Sequence, residues 1–300
     1  MGFVAISDDT IDVRELRTVA VSVAETAAEH VRTRRIELFG RSIGHEPGRG
    51  SATDPTAVSA KSTPTDPVTV ADTETEQLIR ELLHRARPDD DVLGEEDGGT
   101  TSVPAGVRWV VDPIDGTVNF LYGIPAYAVS VAAQVNGRSV AGAVIDVARR
   151  ITYSAALGDG ACSDDGSGPQ LLKATPVESL DMALVATGFG YAAQRRRAQG
   201  AIVAELLPRV RDLRRVGAAA LDLCMVASGA VDAHFEHGLS PWDWAAGGLI
   251  AAEAGAVVVL PPPESRSADG HLTVAAAPGI AEEFLGTLDR IGATTPLTAN

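Results

Sequence analysis

Residues 109–120 read WVVDPIDGTVNF. An apolar run, Trp109-Val110-Val111, delivers two aspartates, Asp112 and Asp115, with Pro113 and Ile114 between them and Gly116-Thr117 behind. The apolar residues spell a buried strand, but the residues after it admit two readings. Asp followed by Pro is ordinary type I turn chemistry, and Gly-Thr can simply open a helix. The stretch LGEEDGG at residues 93–99 tilts the balance, because Glu95 and Glu96 bring four carboxylates within two short connections. The Pro-fixed turn also offers the Ile114 carbonyl between the two aspartates. Hard cations take oxygen donors, and Mg²⁺ keeps several waters in an octahedral shell, so these carboxylates with a carbonyl and the Thr117 hydroxyl make a suitable open site. Calcium stays possible, although no EF-hand spacing is present.

The second half of the stretch suggests a ligand. Gly116, Thr117 and Val118 would place N–H groups at the first turn of a short helix, where dipole and orphan donors favour an anion such as phosphate. Cations beside anion-binding amides imply metal-assisted phosphoryl chemistry, with water as the nucleophile. No serine or cysteine stands in a nucleophile elbow, and no GxxxxGK[ST] loop is present to hold a nucleoside triphosphate.

Away from this stretch, SPWDWAAGG at 240–248 sets Asp243 between Trp242 and Trp244. It reads either as a first-turn helix charge with two packing aromatics or as a further ligand reaching the site from afar. Asp72 is open in the same way, as a cap or as part of the site. Lys61, between loop prolines, is a solvated charge or a functional one. GFGYAA at 188–193 matches GxGxxA, but AELLPRVRDL at 204–213 supplies no acidic second-strand end, so a dinucleotide site is rejected. The run Arg195-Arg196-Arg197 and the group Arg209, Arg211, Arg214 and Arg215 read as solvated helix faces, with an acidic partner as the lesser reading.

The chain has 300 residues, 45% of them hydrophobic, which suits a folded chain with a sizeable core. A formal charge of −15 repels nucleic acid and anionic membrane, so a phosphorylated ligand needs local positive charge such as bound cations. Two cysteines make no disulfide framework, and neither a signal peptide nor a membrane span is evident, so the cytoplasm is expected. Helical spacing predicts a helix over 11–39 and another from Asp72 or Thr73 to Arg87, with a loop over 40–70 read as a lid. Asn136-Gly137 between alternating runs predicts a hairpin of antiparallel sheet. From about residue 158 the pattern alternates between strand and helix. We therefore expect an N-terminal α+β domain over 1–157 carrying most metal ligands, and a C-terminal α/β domain over 158–300 carrying substrate residues and Asp243.

Taken together, GEEDG, WVVDPIDGTVNF and PWDWAAGGLIAAEAGAVV resemble, in order and spacing, the three signature blocks of the inositol monophosphatase family. The resemblance also takes in KSTPTDPVTVAD at 61–72 and RRVGAAALDL at 214–223, and is greatest to the bacterial extragenic-suppressor branch. It implies a layered αβαβα fold of the inositol monophosphatase and fructose-1,6-bisphosphatase superfamily, dimeric, hydrolysing phosphate monoesters with Mg²⁺ and inhibited by lithium. By motif position, Glu95, Asp112, the Ile114 carbonyl and Thr117 would hold an activating cation, and Asp112, Asp115 and Asp243 a second near the leaving group. Asp72 and Thr117 match the pair that orients and deprotonates the attacking water, with Glu95 contributing through a further metal. Amides of Gly116 and Thr117 would hold phosphate. Arg214, the Gly217-Ala218-Ala219 turn and Glu236 would surround the ring of the alcohol, with Glu95, Ile114, Asp115 and Asp243 also bordering the substrate. Ala218 replaces the commoner Ser or Thr, and AHFEHG departs from the usual double aromatic before Glu236, which bears on substrate identity rather than metal chemistry. The expected substrate is inositol 1-phosphate, ahead of fructose-1,6-bisphosphate, histidinol phosphate and 3'-phosphoadenosine nucleotides. Members of this branch also serve as binding partners of the transcription machinery, so a role through the folded surface stands as the other expectation.

Overall fold

The computed structural model describes residues 11–40, 58–61, 67–99 and 102–298. Most of the 40–60 loop, and with it the expected lid, lies outside the described residues. The first helix, α1 (Val13–Phe39), begins at Asp12, whose side chain accepts from the Arg14 and Glu15 amides at 2.9 and 3.3 Å. Gly40 ends it at φ 73°, a conformation that costs glycine little. Within the expected loop, β1 (Val58–Ala60) and β2 (Pro67–Thr69) pair as an antiparallel ribbon. Helix α2 (Val70–Ala86) then starts earlier than expected, with Thr69 as its N-cap. Val68 and Thr69 end β2, so strand passes into helix with no loop between them; Asp72 is the third residue inside the helix rather than its N-cap.

Next come β3 (Asp91–Gly94), β4 (Val107–Asp115), the short α3 (Thr117–Tyr122), β5 (Ala128–Val135), β6 (Arg138–Asp146), β7 (Ile151–Ala156), β8 (Ala161–Asp164) and β9 (Gln170–Leu171). They form one seven-stranded sheet in chain order, antiparallel throughout except that β3 runs parallel to β4. The expected Asn136-Gly137 hairpin joins β5 and β6, with both residues at positive φ (51° and 76°), as a two-residue primed turn requires. This sheet extends through Leu171, so a division near residue 157 cuts through it; the change of sheet falls between β9 and the next strand.

That strand, β10 (Leu184–Thr187), is followed by α4 (Ala193–Leu206), β11 (Asp212–Arg214), α5 (Ala219–Ala227), β12 (Ala233–His237), α6 (Pro241–Glu253), β13 (Val257–Val259), β14 (Leu272–Ala276) and α7 (Ala281–Arg290). The second sheet runs β11-β10-β12-β14-β13, parallel across its first three strands and antiparallel beyond.

The layers follow from which faces are apolar. Helices α1 and α2 cover one face of the large sheet, burying Leu16, Val23, Ala27, Val31 and Ile79 against Trp109, Val111 and Val129. Helices α5 and α6 lie between the sheets, with Leu223, Trp244 and Ile250 in that core, and α4 and α7 close the outside with Leu206, Phe284 and Leu288. This is the expected αβαβα sandwich. The small residues of α6 let two sheets approach it. A Cβ added at Gly142 of β6 would sit 3.1 Å from the Ala246 backbone, so helix and strand meet there at closest packing.

One arginine departs from its expected solvated place. Arg195 is buried, donating to the carbonyls of Leu297 at 2.7 Å and Ser267 at 2.6 Å, while Arg196 and Arg197 are exposed. The sequence shows three like residues; the start of α4 turns only the first inward.

Candidate active site

The site grows from the end of β4. The Asp112 carboxylate accepts from the Ile114 amide two residues on, at 3.0 Å, and pairing with β5 slips register between Asp112 and Asp115. That irregularity lets both aspartates leave the strand on the same side, where regular alternation would separate residues an odd number apart. Gly116 follows at φ 93°, and a Cβ there would press on the Ala126 and Gly217 carbonyls, so glycine alone fits the turn. Asn119 ties the short helix to the other half of the chain, donating to Ala126 O at 2.7 Å and Val216 O at 2.9 Å.

Two distant aspartates arrive by one device. Asp72 and Asp243 each occupy the third position of their helix, and each returns one oxygen to the N-cap amide: Thr69 N at 2.9 Å and Ser240 N at 2.7 Å. The other Asp72 oxygen accepts from Thr117 Oγ1 at 3.0 Å, across 45 positions of chain. Asp72 is therefore not the N-cap but the capping-box partner of Thr69, and its other oxygen is free to meet Thr117. The single Thr117 proton is shared with the Ile114 carbonyl at 3.1 Å. Asp115 itself caps another element: the Ala219 and Ala220 amides at the start of α5 donate to its oxygens at 3.3 and 2.7 Å. Ala218, the N-cap residue of α5, has no side-chain acceptor, and Asp115 supplies one from across the interface between the halves.

Asp112, Asp115 and Asp243 each present an oxygen within 4.8 Å of the others. Glu95 flanks them in the same cavity, salt-bridged to Lys61 Nζ at 2.8 Å, and Lys61 reaches Glu96 at 2.6 Å. Lys61 is thus a partly buried counter-ion, not a solvated loop charge. Its burial lowers its pKa, but Glu95 and Glu96 more than offset that, and its pKa is raised overall. The loop that carries Glu95 rests on a residue the sequence reading missed. Glu76, fully buried on α2, accepts from the amides of Glu96 at 2.7 Å and Asp97 at 3.0 Å, and pairs with Arg80 at 2.8 Å. Gly94 is glycine because the Glu76 carboxylate occupies the place of its Cβ. A Glu inside an amphipathic helix carries no local signal of burial; only a glycine before GEED hinted that something packs beneath.

Burial pushes Asp112, Asp115 and Asp243 above the usual carboxylate range, and repulsion from Glu95 and from one another adds to it; Asp115 reaches about 7. Asp72 rises to about 6 and Glu96 to about 7, again through burial first. Crowded carboxylates held against their charge are a place where a cation binds with gain.

The cavity measures about 580 Å³. Its wall includes Lys61, Glu95, Asp112, Ile114, Asp115, Gly116, Thr117 and Asp243 from the cluster side, and Gly217, Ala218, Ala219 and Glu236 opposite. Asp72 stands behind Thr117 rather than on the wall. Arg214, expected beside the ring-binding residues, is turned away: it shares an exposed face with Asp212, bonded at 2.5 Å. Its neighbour Arg215, just past the end of β11, lines the cavity instead. Glu236 is pushed up to about 8 by burial, with Arg215 pulling it back. Gly188, from the rejected GxGxxA match, has a purpose here, because the Glu236 carboxylate fills the space of its missing side chain.

A carboxylate cluster of this kind, joined to the start of a short helix, belongs to the class of sites that can hold a cation beside an anion. The chain matches the model of the inositol monophosphatase family over residues 12–293. It is 56% identical over 290 residues to an inositol-1-monophosphatase of Mycobacterium leprae (strain TN), covering 95% of this chain and 97% of the relative. It is 39% identical over 237 residues to a protein named Nus factor SuhB in Pasteurella multocida (strain Pm70), covering 78% of this chain and 86% of that one. The solved structure of Mycobacterium tuberculosis SuhB superposes with a TM-score of 0.79 and 49% identity, covering 95% of this chain and all of the other. The chain belongs to the inositol monophosphatase family, a family of phosphatases.

Proposed function

We propose that this chain is a Mg²⁺-dependent phosphatase of inositol 1-phosphate, producing inositol and inorganic phosphate. The observation that carries the reading is the convergence of Asp112, Asp115 and Asp243 within 4.8 Å beside Glu95, the Ile114 carbonyl and Thr117. The donor set fits Mg²⁺, being all oxygen, mostly anionic and open to solvent on one side. Glu95, Asp112, Ile114 and Thr117 would hold one ion, and Asp112, Asp115 and Asp243 another. When bound, Mg²⁺ supplies Lewis acidity toward the phosphate oxygens and makes water more acidic. The residues do the rest. Thr117 Oγ1, donating to Asp72 Oδ1, keeps its lone pairs for an incoming water and passes protons toward Asp72. The water oxygen attacks phosphorus, the ester bond to the alcohol breaks, and the alcohol oxygen leaves with the proton that the water gave up, so that water is divided between phosphate and alcohol. Amides of Gly116 and Thr117 take the phosphate. Glu236 and the Gly217-Ala218-Ala219 turn receive the ring hydroxyls, and Arg215 stands in the place assigned to Arg214.

The reading includes lithium inhibition, a cytoplasmic homodimer, and no membrane partner. Among the described residues no helix is long and apolar enough to cross a membrane. Phosphate release by the purified chain from inositol, fructose, histidinol and adenosine phosphates, with and without Mg²⁺ and Li⁺, is the test. Fastest release from inositol 1-phosphate, absent without Mg²⁺ and slowed by Li⁺, is expected; equal rates on all four would remove the substrate assignment. The relative named Nus factor supports a second reading, as a protein partner of the transcription machinery, and failure of release from every substrate would favour it.

Glu236→Gln should raise the KM for inositol 1-phosphate roughly tenfold, the loss of about 1.4 kcal/mol of binding, while an aryl phosphate is turned over as before. Equal losses on both would remove Glu236 from ring binding.

The raised carboxyls also set a pH dependence. A pKa of about 7 at Asp115, against an ordinary 3.8, means that the folded chain keeps a proton the unfolded chain has lost. The resulting stability is present below pH 4 and disappears as pH rises through 7. Metal-free protein should therefore melt at lower temperature at pH 8 than at pH 5.5. Mg²⁺ should restore more at pH 8, by roughly 5 °C, since occupancy a hundredfold over Kd is worth about 2.7 kcal/mol. Thermal melts in chelator and in Mg²⁺ at both pH values check this; an equal gain at each would count against these carboxyls as ligands.

A further inference from the structure

A second group of side chains meets behind the cavity wall. Asp222 from α5 and His234 and Glu236 from β12 each present a ligand atom within 4.8 Å of the others. His234 and Glu236 lie two apart on one strand and so share a face. His234 Nδ1 stands 3.7 Å from Asp222 Oδ2. Asp222 and His234 are both 0% exposed, and among the described residues neither Asp222 oxygen nor either His234 nitrogen has a hydrogen-bond partner. Buried polar groups are almost always partnered, so four such atoms on two facing side chains mark a place built for something else. The inositol 1-phosphate reading gives work only to Glu236.

The chemistry of the three donors is specific. Burial pulls His234 down to about 3, so the imidazole is neutral with a lone pair to give, and burial together with Glu236 and Asp115 raises Asp222. Two carboxylates and one imidazole compensate a dication without leaving net charge in the interior. A nitrogen donor also distinguishes this group from the all-oxygen cluster of Asp112, Asp115 and Asp243: Mg²⁺ prefers the latter, whereas Zn²⁺ and its neighbours accept mixed nitrogen and oxygen ligands.

We propose that Asp222, His234 and Glu236 form a second, buried cation site that takes a divalent transition metal of the Zn²⁺ type, its open position facing the cavity beside Glu236. The site shares Glu236 with the phosphatase reading, but it is read out by metal uptake and not by phosphate release.

The test uses the full chain carrying Asp112→Asn and Asp243→Asn, which disable the first cluster, with Co²⁺ as a spectroscopic probe. One Co²⁺ per chain is expected, with visible d–d bands, displaced by equimolar Zn²⁺ but not by a hundredfold excess of Mg²⁺. Adding His234→Phe should weaken Co²⁺ binding at least tenfold. Anomalous diffraction from wild-type crystals soaked in Zn²⁺ should place a peak among the three side chains, which keeps the test valid should a variant fail to fold. No Co²⁺ uptake by the folded double variant, uptake indifferent to His234→Phe, or an ordered water and no anomalous peak at that position would each overturn the site.

Discussion

Replacing Asp112 with Asn is expected to lower Mg²⁺-dependent phosphate release by at least a thousandfold while the metal-free protein melts no lower than wild type. The carboxylate sits at the centre of the cluster and is counted in both proposed ion positions, so its loss removes a ligand from each; three orders of magnitude correspond to about 4 kcal/mol of transition-state stabilisation. The fold should not suffer, because an Asn side-chain oxygen can still accept from the Ile114 amide, the one hydrogen bond that the carboxylate makes among the described residues, at 3.0 Å. Burial and repulsion from Glu95, Asp115 and Asp243 raise the Asp112 carboxyl, and a neutral amide relieves that repulsion. Steady-state rates and thermal melts on one preparation separate the two effects. Wild-type turnover would end the metal assignment, and loss of fold would mean that Asp112 is chiefly structural.

Glu76→Ala should do the reverse, harming stability first and activity through position. The side chain is fully buried, yet it faces two backbone amides and Arg80. Truncation leaves the Glu96 and Asp97 amides without their acceptor and Arg80 without its partner, which should cost about 3 kcal/mol, or a fall in Tm of roughly 6–12 °C. The loop carrying Glu95 would lose its support, so half-saturation by Mg²⁺ should move upward severalfold while Asp112, Asp115 and Asp243 stay in place. Melting curves and Mg²⁺ titrations of phosphate release measure the two. An unchanged Mg²⁺ requirement in a destabilised protein would make Glu76 a packing residue with no bearing on the site.

Much of this was legible along the chain because the chemistry is short-range. The turn at Asp112-Pro113, the Asn136-Gly137 hairpin, the helix stop at Gly40 and the first-turn position of Asp243 involve residues within a few positions of one another, where residue type alone sets the geometry. The αβαβα layering followed from the family resemblance alone. Misreadings fell where local signals conflict or are silent. The stretch before Asp72 reads as loop, yet Thr69 ends a strand and is the N-cap of α2. Arg195 looks like its neighbours and is buried. Arg214 and Arg215 cannot be told apart without knowing where β11 ends and the chain turns toward the cavity.

By itself the sequence determined the kinds of donor, the turns that present them and the succession of helices and strands, since these rest on residue chemistry and on periodicities of 2 and 3.6; the layering came from the family resemblance. Only the tertiary structure decided which donors meet. Asp72 reaches Thr117, Asp115 caps α5, Glu76 lies beneath Glu96, and Asp222 faces His234, because strand register and helix packing bring together groups far apart in the chain. A carboxylate's neighbours in space set its charge and its partners, and those neighbours do not exist until the sheets have closed on α5 and α6.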